Sequence, residues 1–148
     1  MTSLRFDGAK DTDAKRLAKW RVEAMRPRLE GVGRFNQERA RLRVLDSFVP
    51  AETTLVLSGK QLLGFFAVKD RGDHYNLDHL YVAPDQQGRG IGSLILHCVL
   101  RDAAERDLPV RLMALKDSPA NAFYRQHGFE VTGQEEFDTL YQWVPPPK

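Results

Sequence analysis

Apolar residues recur at helical spacing from Ala14 through Ala18, Val22 and Met25 to Leu29, and Asp11-Thr12-Asp13 offers capping side chains just ahead of them. The pattern predicts a first amphipathic helix, preceded by a short strand over Leu4 to Phe6. Pro27 should kink or end that helix, and Gly31-Val32-Gly33 breaks the chain. A second helix is expected after Asn36, with Ala40, Val44, Leu45 and Phe48 on one face.

The pattern then changes to strands. Thr53 to Leu57 is β-branched and apolar, Ser58-Gly59-Lys60 reads as a hairpin turn, and Leu62 to Val68 returns. After Asp70-Arg71-Gly72-Asp73, Tyr75 to Val82 makes another strand that runs into Pro84 and a glycine-rich loop. A helix follows with Ile91, Leu94, Ile95, Cys98 and Val99 as its apolar stripe, which would bury Cys98 as an inert thiol. Val110 to Leu115 is a strand. Ser118-Pro119 starts a short helix, with a capping hydroxyl followed by proline in the first turn, and Gly128 stops it; Phe129 to Gly133 and Phe137 to Val144 close the chain. The expected fold is α/β of the α+β type: a mixed, mostly antiparallel sheet of about six to seven strands with helices on both faces. The length fits a single domain over residues 1–148.

Composition narrows the chemistry. The one cysteine excludes an internal disulfide and a cysteine-based metal site, and the four histidines show no zinc spacing, so no metal is expected. There is no apolar run long enough for a membrane span and no secretion-signal pattern, which points to a cytoplasmic protein with no membrane partner. Charge is uneven: eleven Lys/Arg face five Asp/Glu between Lys10 and Arg43, whereas twelve acids face eight bases from Asp70 onward. A basic first third suits an acidic substrate, a cofactor phosphate or simply solvated helix faces; with no nucleic-acid motif beside it, no nucleic-acid partner is expected.

Between the strand ending at Val82 and the helix beginning near Ile91 lies Gln87-Gly88-Arg89-Gly90-Ile91-Gly92. Glycines permit positive φ and close approach of backbone to a ligand, and the first amides of a helix point outward unpaired. With the helix dipole these make a pyrophosphate cradle. A P-loop would need Lys-Ser or Lys-Thr after the loop, and a dinucleotide fingerprint would need GxGxxG early in a βαβ unit; neither is present. A glycine turn without a ligand stays open on this evidence.

Here the sequence resembles the GNAT superfamily of acetyl-CoA-dependent N-acetyltransferases. Gln87, Gly90 and Gly92 fill that family's Q/R-x-x-G-x-G/A signature, after Leu80-Tyr81-Val82-Ala83-Pro84. Asn121-Ala122-Phe123-Tyr124-Arg125-Gln126-His127-Gly128-Phe129 resembles its second landmark. The resemblance runs from about Leu77 to Phe129; upstream only the element order agrees. It implies acetyl-CoA as cosubstrate, with Leu80 and Val82 bonding it through main-chain groups. An amide near Leu80 would polarise the acetyl carbonyl, and amides across Gln87, Gly88, Arg89, Gly90, Ile91 and Gly92 would hold the pyrophosphate. Asn121 matches the asparagine that touches the coenzyme, and Tyr124 the tyrosine that protonates the departing thiolate. Both also have structural readings, as a helix-start polar residue and a packing aromatic.

Strand alternation places Asn76, Asp78 and Leu80 on one face and His79 and Tyr81 on the other. By parity with Leu80, Asp78 is the first choice for the general base or for ordering a water, and His79 reads as a surface or packing residue. In the family the acceptor meets the first two helices and the last strands. Arg28 and Arg34, with Tyr141 at the far end, are therefore candidates to hold an acidic group on the acceptor. The expected activity is direct acetyl transfer to a primary amine of a small molecule. A protein or peptide N-acetyltransferase and a non-catalytic acyl-CoA-binding module are the alternatives, and family analogy admits a homodimer.

Overall fold

The structure is a computed structural model that describes residues 4–31, 41, 42, 44–46 and 48–147, without the side chains of residues 24–31. The strands are β1 (Arg5–Gly8), β2 (Thr53–Ser58), β3 (Gln61–Asp70), β4 (Tyr75–Val82), β5 (Val110–Leu115), β6 (Glu130–Gln134) and β7 (Asp138–Trp143). The helices are α1 (Ala14–Gly31), α2 (helical at 41, 42 and 44–46), α3 (Ile91–Glu105) and α4 (Ala120–Gln126). They form one seven-stranded sheet in the order β1-β2-β3-β4-β5-β7-β6.

Local chemistry explains the pairing. Only two residues join β2 to β3 and four join β3 to β4, too few for a parallel crossover, so both connections make antiparallel hairpins. The fifteen-residue α3 supplies the crossover that lets β4 and β5 run parallel, through Tyr75↔Val110 and Asn76↔Arg111. β5 and β7 then pair antiparallel along their full length, and β6 joins β7 with an irregularity between Val131 and Gly133.

The chain divides into two compact units, residues 1–66 with 80–91, and residues 67–79 with 92–148. In the first, Leu17, Ala18, Val44, Leu55, Leu57 and Phe65 form the buried core, with Trp20, Phe48 and Tyr81 packed on it. Each large side chain of this kind contributes about 2 kcal/mol by leaving water. In the second, Ile95, Leu96, Val99 and Ala103 of α3 are buried, as are Val110, Leu112, Ala114, Phe129 and Tyr141. A polar network also ties the β3–β4 turn to the end of α3. Arg106 donates to Asp70 at 2.6 Å and to the Tyr75 hydroxyl at 2.9 Å, and that hydroxyl donates to Asp102 at 3.0 Å.

Three expectations are corrected. Of the expected kink or end at Pro27, the end does not occur: α1 continues to Gly31, because a proline's fixed φ is itself helical and the ring removes only one internal hydrogen bond. The apolar stripe of α3 runs Ile91-Ile95-Val99-Ala103, leaving Leu94 43% exposed and Cys98 exposed rather than buried. The Ser118 hydroxyl caps no backbone amide; it accepts a hydrogen bond from the Asn121 side chain instead. The expected start of α2 after Asn36 and residue Ala40 lie outside the described residues.

Candidate active site

β4 ends at Val82, a single turn of 3-10 helix follows at Pro84–Gln86, and α3 starts at Ile91. Between them Gly88 and Gly90 take φ of +83° and +82°, the left-handed region in which an L side chain is strained. A Cβ built at either would meet nothing within 4 Å, so the outer side of the loop is open. The backbone N–H groups of Gly88, Arg89, Gly90, Ile91 and Gly92 have no hydrogen-bond partner among the described residues. Left-handed glycines, unpaired amides and the N-terminus of a fifteen-residue helix together fit a diphosphate.

Gln87 departs from the expected arrangement. Its backbone N–H is engaged by Pro84 at 3.4 Å, and its side-chain amide donates to the Val82 carbonyl at 3.0 Å. It therefore braces the loop against the strand end, and the open amides begin one residue later. The Arg89 guanidinium lies along the same turn, donating to Gln86 at 3.1 Å.

Sequence reasoning passed over Gly64, on β3. A Cβ there would fall far inside van der Waals contact with the Tyr81 carbonyl oxygen, and the next bond along, Ala83 N–H to Leu63 O, is 2.8 Å long. The two strands thus approach closely where β4 carries Leu80 to Val82. A glycine in the middle of an apolar strand is the signal that marks such an approach. Arg21 was also passed over. It is 8% exposed, and its guanidinium carbon lies 4.7 Å from the centre of the Tyr81 ring, which Phe65 meets edge-on at 5.2 Å. A charged residue three and four positions beyond Ala18 and Leu17, on the buried face of α1, was the visible clue.

In the second unit the alternation along β4 is as read: Tyr75, Leu77 and His79 are buried, whereas Asn76 and Asp78 are half-buried. His79 is a packed residue, yet its Nε2 comes within 3.6 Å of Asp78 Oδ2, so adjacent positions on opposite faces still meet. Lys69 Nζ lies 3.7 Å from the same carboxylate oxygen.

Tyr124, on α4, is buried with its ring against Phe123 at 5.3 Å, Phe129 at 5.6 Å and Tyr141 at 6.2 Å. Asn121 is heavily committed within the protein. Its amide nitrogen donates to the Leu115 and Ser118 carbonyls at 2.9 and 3.0 Å, and its oxygen accepts from the Tyr141 hydroxyl at 2.8 Å. Tyr141 is 1% exposed and borders the open space beside Asn121 and Thr139. Arg34 and the side chain of Arg28 lie outside the described residues. Among those residues no group of three His, Cys, Asp or Glu could hold a metal ion, and no helix is long and apolar enough to cross a membrane.

The comparisons with known proteins agree with this geometry. The family model for the acetyltransferase (GNAT) domain matches residues 50–131, from before β2 into β6. The chain belongs to that family and is an N-acetyltransferase of its class. It is similar to the peptidyl-lysine N-acetyltransferase YjaB of Salmonella typhimurium, 32% identical over 113 residues that cover 74% of this chain and 73% of the relative. The Escherichia coli YjaB is likewise 32% identical, over 67% of this chain and 64% of its own. Among solved structures, the PaiA N-acetyltransferase of Thermoplasma acidophilum in complex with coenzyme A shares the fold. Its TM-score is 0.74 at 16% identity, across 96% of this chain and 99% of that one.

Proposed function

We propose that this protein transfers the acetyl group of acetyl-CoA directly to the ε-amine of a lysine in a peptide or protein. The observation that carries the coenzyme half is the pair of left-handed glycines, Gly88 and Gly90, beside open amides at the start of α3. The acceptor half rests on the peptidyl-lysine activity named for both YjaB relatives. A free small-molecule amine, the expectation from sequence alone, is the alternative that the experiment below separates.

In this reading, amides from Gly88 to Gly92 bind the diphosphate, and main-chain groups of Leu80 and Val82 hold the pantetheine arm. The Val82 carbonyl already accepts from Gln87 and retains one lone pair for that purpose. Asp78, or a water it orders, takes the proton from the acceptor ammonium. The amine nitrogen forms a bond to the thioester carbon, and a backbone amide near Leu80 stabilises the charge that develops on the carbonyl oxygen. The carbon–sulfur bond breaks, and Tyr124 gives its proton to the departing thiolate. A phenol with a pKa near ~10 can protonate a thiolate of about 8.5 if it is well placed. Asn121 acts by holding the β5–α4 turn beside the coenzyme.

Thiol release from acetyl-CoA, measured with a lysine peptide and with a panel of free amines, tests this. The expected result is kcat/KM at least tenfold higher for the peptide. Tyr124→Phe should lower kcat by about 100-fold or more while coenzyme binding persists. Faster turnover of a free polyamine or amino acid would replace the acceptor assignment. Coenzyme binding with no thiol release for any amine would make the protein a binding module.

A further inference from the structure

The second unit contains a cavity of about 420 Å³ between α4 and the β6–β7 hairpin, and none of the glycine-loop residues lines it. We propose that this cavity is a separate binding site for a small hydroxylated organic oxyanion, a sugar acid or sugar phosphate, held by the Arg125 guanidinium.

The walls define the chemistry. Arg125 stands on the exposed side of α4, lines the cavity, and forms no ion pair with any described residue. A guanidinium fork matches the two oxygens of a carboxylate or phosphate. Lys116 adds a second positive charge to the lining and Asp117 one negative charge, leaving a net positive excess that favours an anion. The rest of the lining suits hydroxyls. Thr139 is 8% exposed, borders the cavity, and its hydroxyl makes no hydrogen bond with a described residue. A hydroxyl in so buried a residue gains from a ligand that completes it. The Tyr141 hydroxyl, having donated its proton to Asn121, presents only acceptor capacity, whereas Ser118 and Gln134 can donate and accept.

The volume leaves room for more than a bare ion. Small-molecule pockets begin at roughly 300 Å³, and a six-carbon sugar derivative fits such a space with water around it. Val131, at the irregular pairing of β6 with β7, lines the cavity.

Calorimetric titration of the full chain with gluconate and with glucose 6-phosphate, at fixed ionic strength, tests the site and tells carboxylate from phosphate. The expected result is saturable binding of at least one probe that persists in saturating coenzyme A. Arg125→Ala should weaken it at least tenfold, Arg125→Lys less, and the near-isosteric Thr139→Val by roughly threefold. No saturable binding of either probe, indifference to the Arg125 and Thr139 substitutions, or displacement by coenzyme A would each overturn the proposal. Far-ultraviolet circular dichroism of the variants keeps a folding defect from standing in for lost binding.

Discussion

The end of β4 with its glycine loop and the α4 region with β5 and β7 solve different problems with different materials. The loop is built from backbone: left-handed φ at Gly88 and Gly90, open amides, and the close approach of β3 that Gly64 permits. The α4 region is built from side chains, with Asn121 stitched to three partners and Tyr124 wedged among aromatic rings. Backbone geometry leaves a trace in sequence because glycine tolerates it far better than most residues do. Side-chain networks leave little, since Asn or Tyr can serve many roles.

The largest test of this contrast is Gly64→Ala. A methyl group there meets a backbone carbonyl, which cannot swing away as a side chain could, so β3 and β4 must separate at Tyr81. The expected loss is about 3 kcal/mol of stability in urea denaturation, with acetyl transfer lost alongside it. Stability within a few tenths of a kcal/mol of the parent would show that the close approach is not needed.

Asn121→Ala comes next and addresses the side-chain region. It removes one acceptor from the part-buried Tyr141 hydroxyl and one donor from the Leu115 carbonyl, at about 1–3 kcal/mol. Coenzyme affinity should fall only as far as the β5–α4 turn loosens. A tenfold rise in the coenzyme dissociation constant with unchanged stability would instead assign Asn121 a direct contact. Smaller again is Gly90→Ala, where the space is open and the penalty is conformational, about 1–2 kcal/mol. Calorimetry should show coenzyme affinity reduced about tenfold if the loop relaxes out of its left-handed turn.

Much of the fold was legible for the same reason that the loop was. β4 and β5 begin and end at the residues that alternation and turn chemistry indicate, and the element order follows from periodicity alone. Misreadings fell where tertiary context decides. Cys98 and Leu94 belong to an apolar stripe on paper, but α3 is rotated so that Leu96 and Ala103 are buried in their place. Pro27 looked able to kink or end the helix because its local cost is plain, and a single lost bond did not end an eighteen-residue helix. The approach of Lys69 to Asp78 was invisible because charge at a strand end is ordinary until the partner strand is known.

The smallest effect concerns pH, and it separates the two kinds of construction once more. Asp70 anchors the β3–β4 turn to α3. The hydrogen bond from Arg106, followed by that from the Gly72 amide, holds its carboxyl below the usual carboxylate range. A depressed folded pKa means that the unfolded chain takes up the proton first, near ~3.9, so stability from this contact is present above that value. It drains away as the pH falls through the lower folded value. Asp70→Asn should therefore narrow the stability gap between variant and parent progressively below about pH 4, and the gap should be widest near neutrality. Because Asp70 and Arg106 are both about half exposed, the whole effect should be small and shrink further in salt. Coenzyme binding at the glycine loop, which relies on amides rather than carboxylates, should not follow Asp70→Asn at any pH at which the protein stays folded. A variant that lost coenzyme affinity in step with the acid limb would mean that the side-chain network and the backbone-built loop are energetically one system.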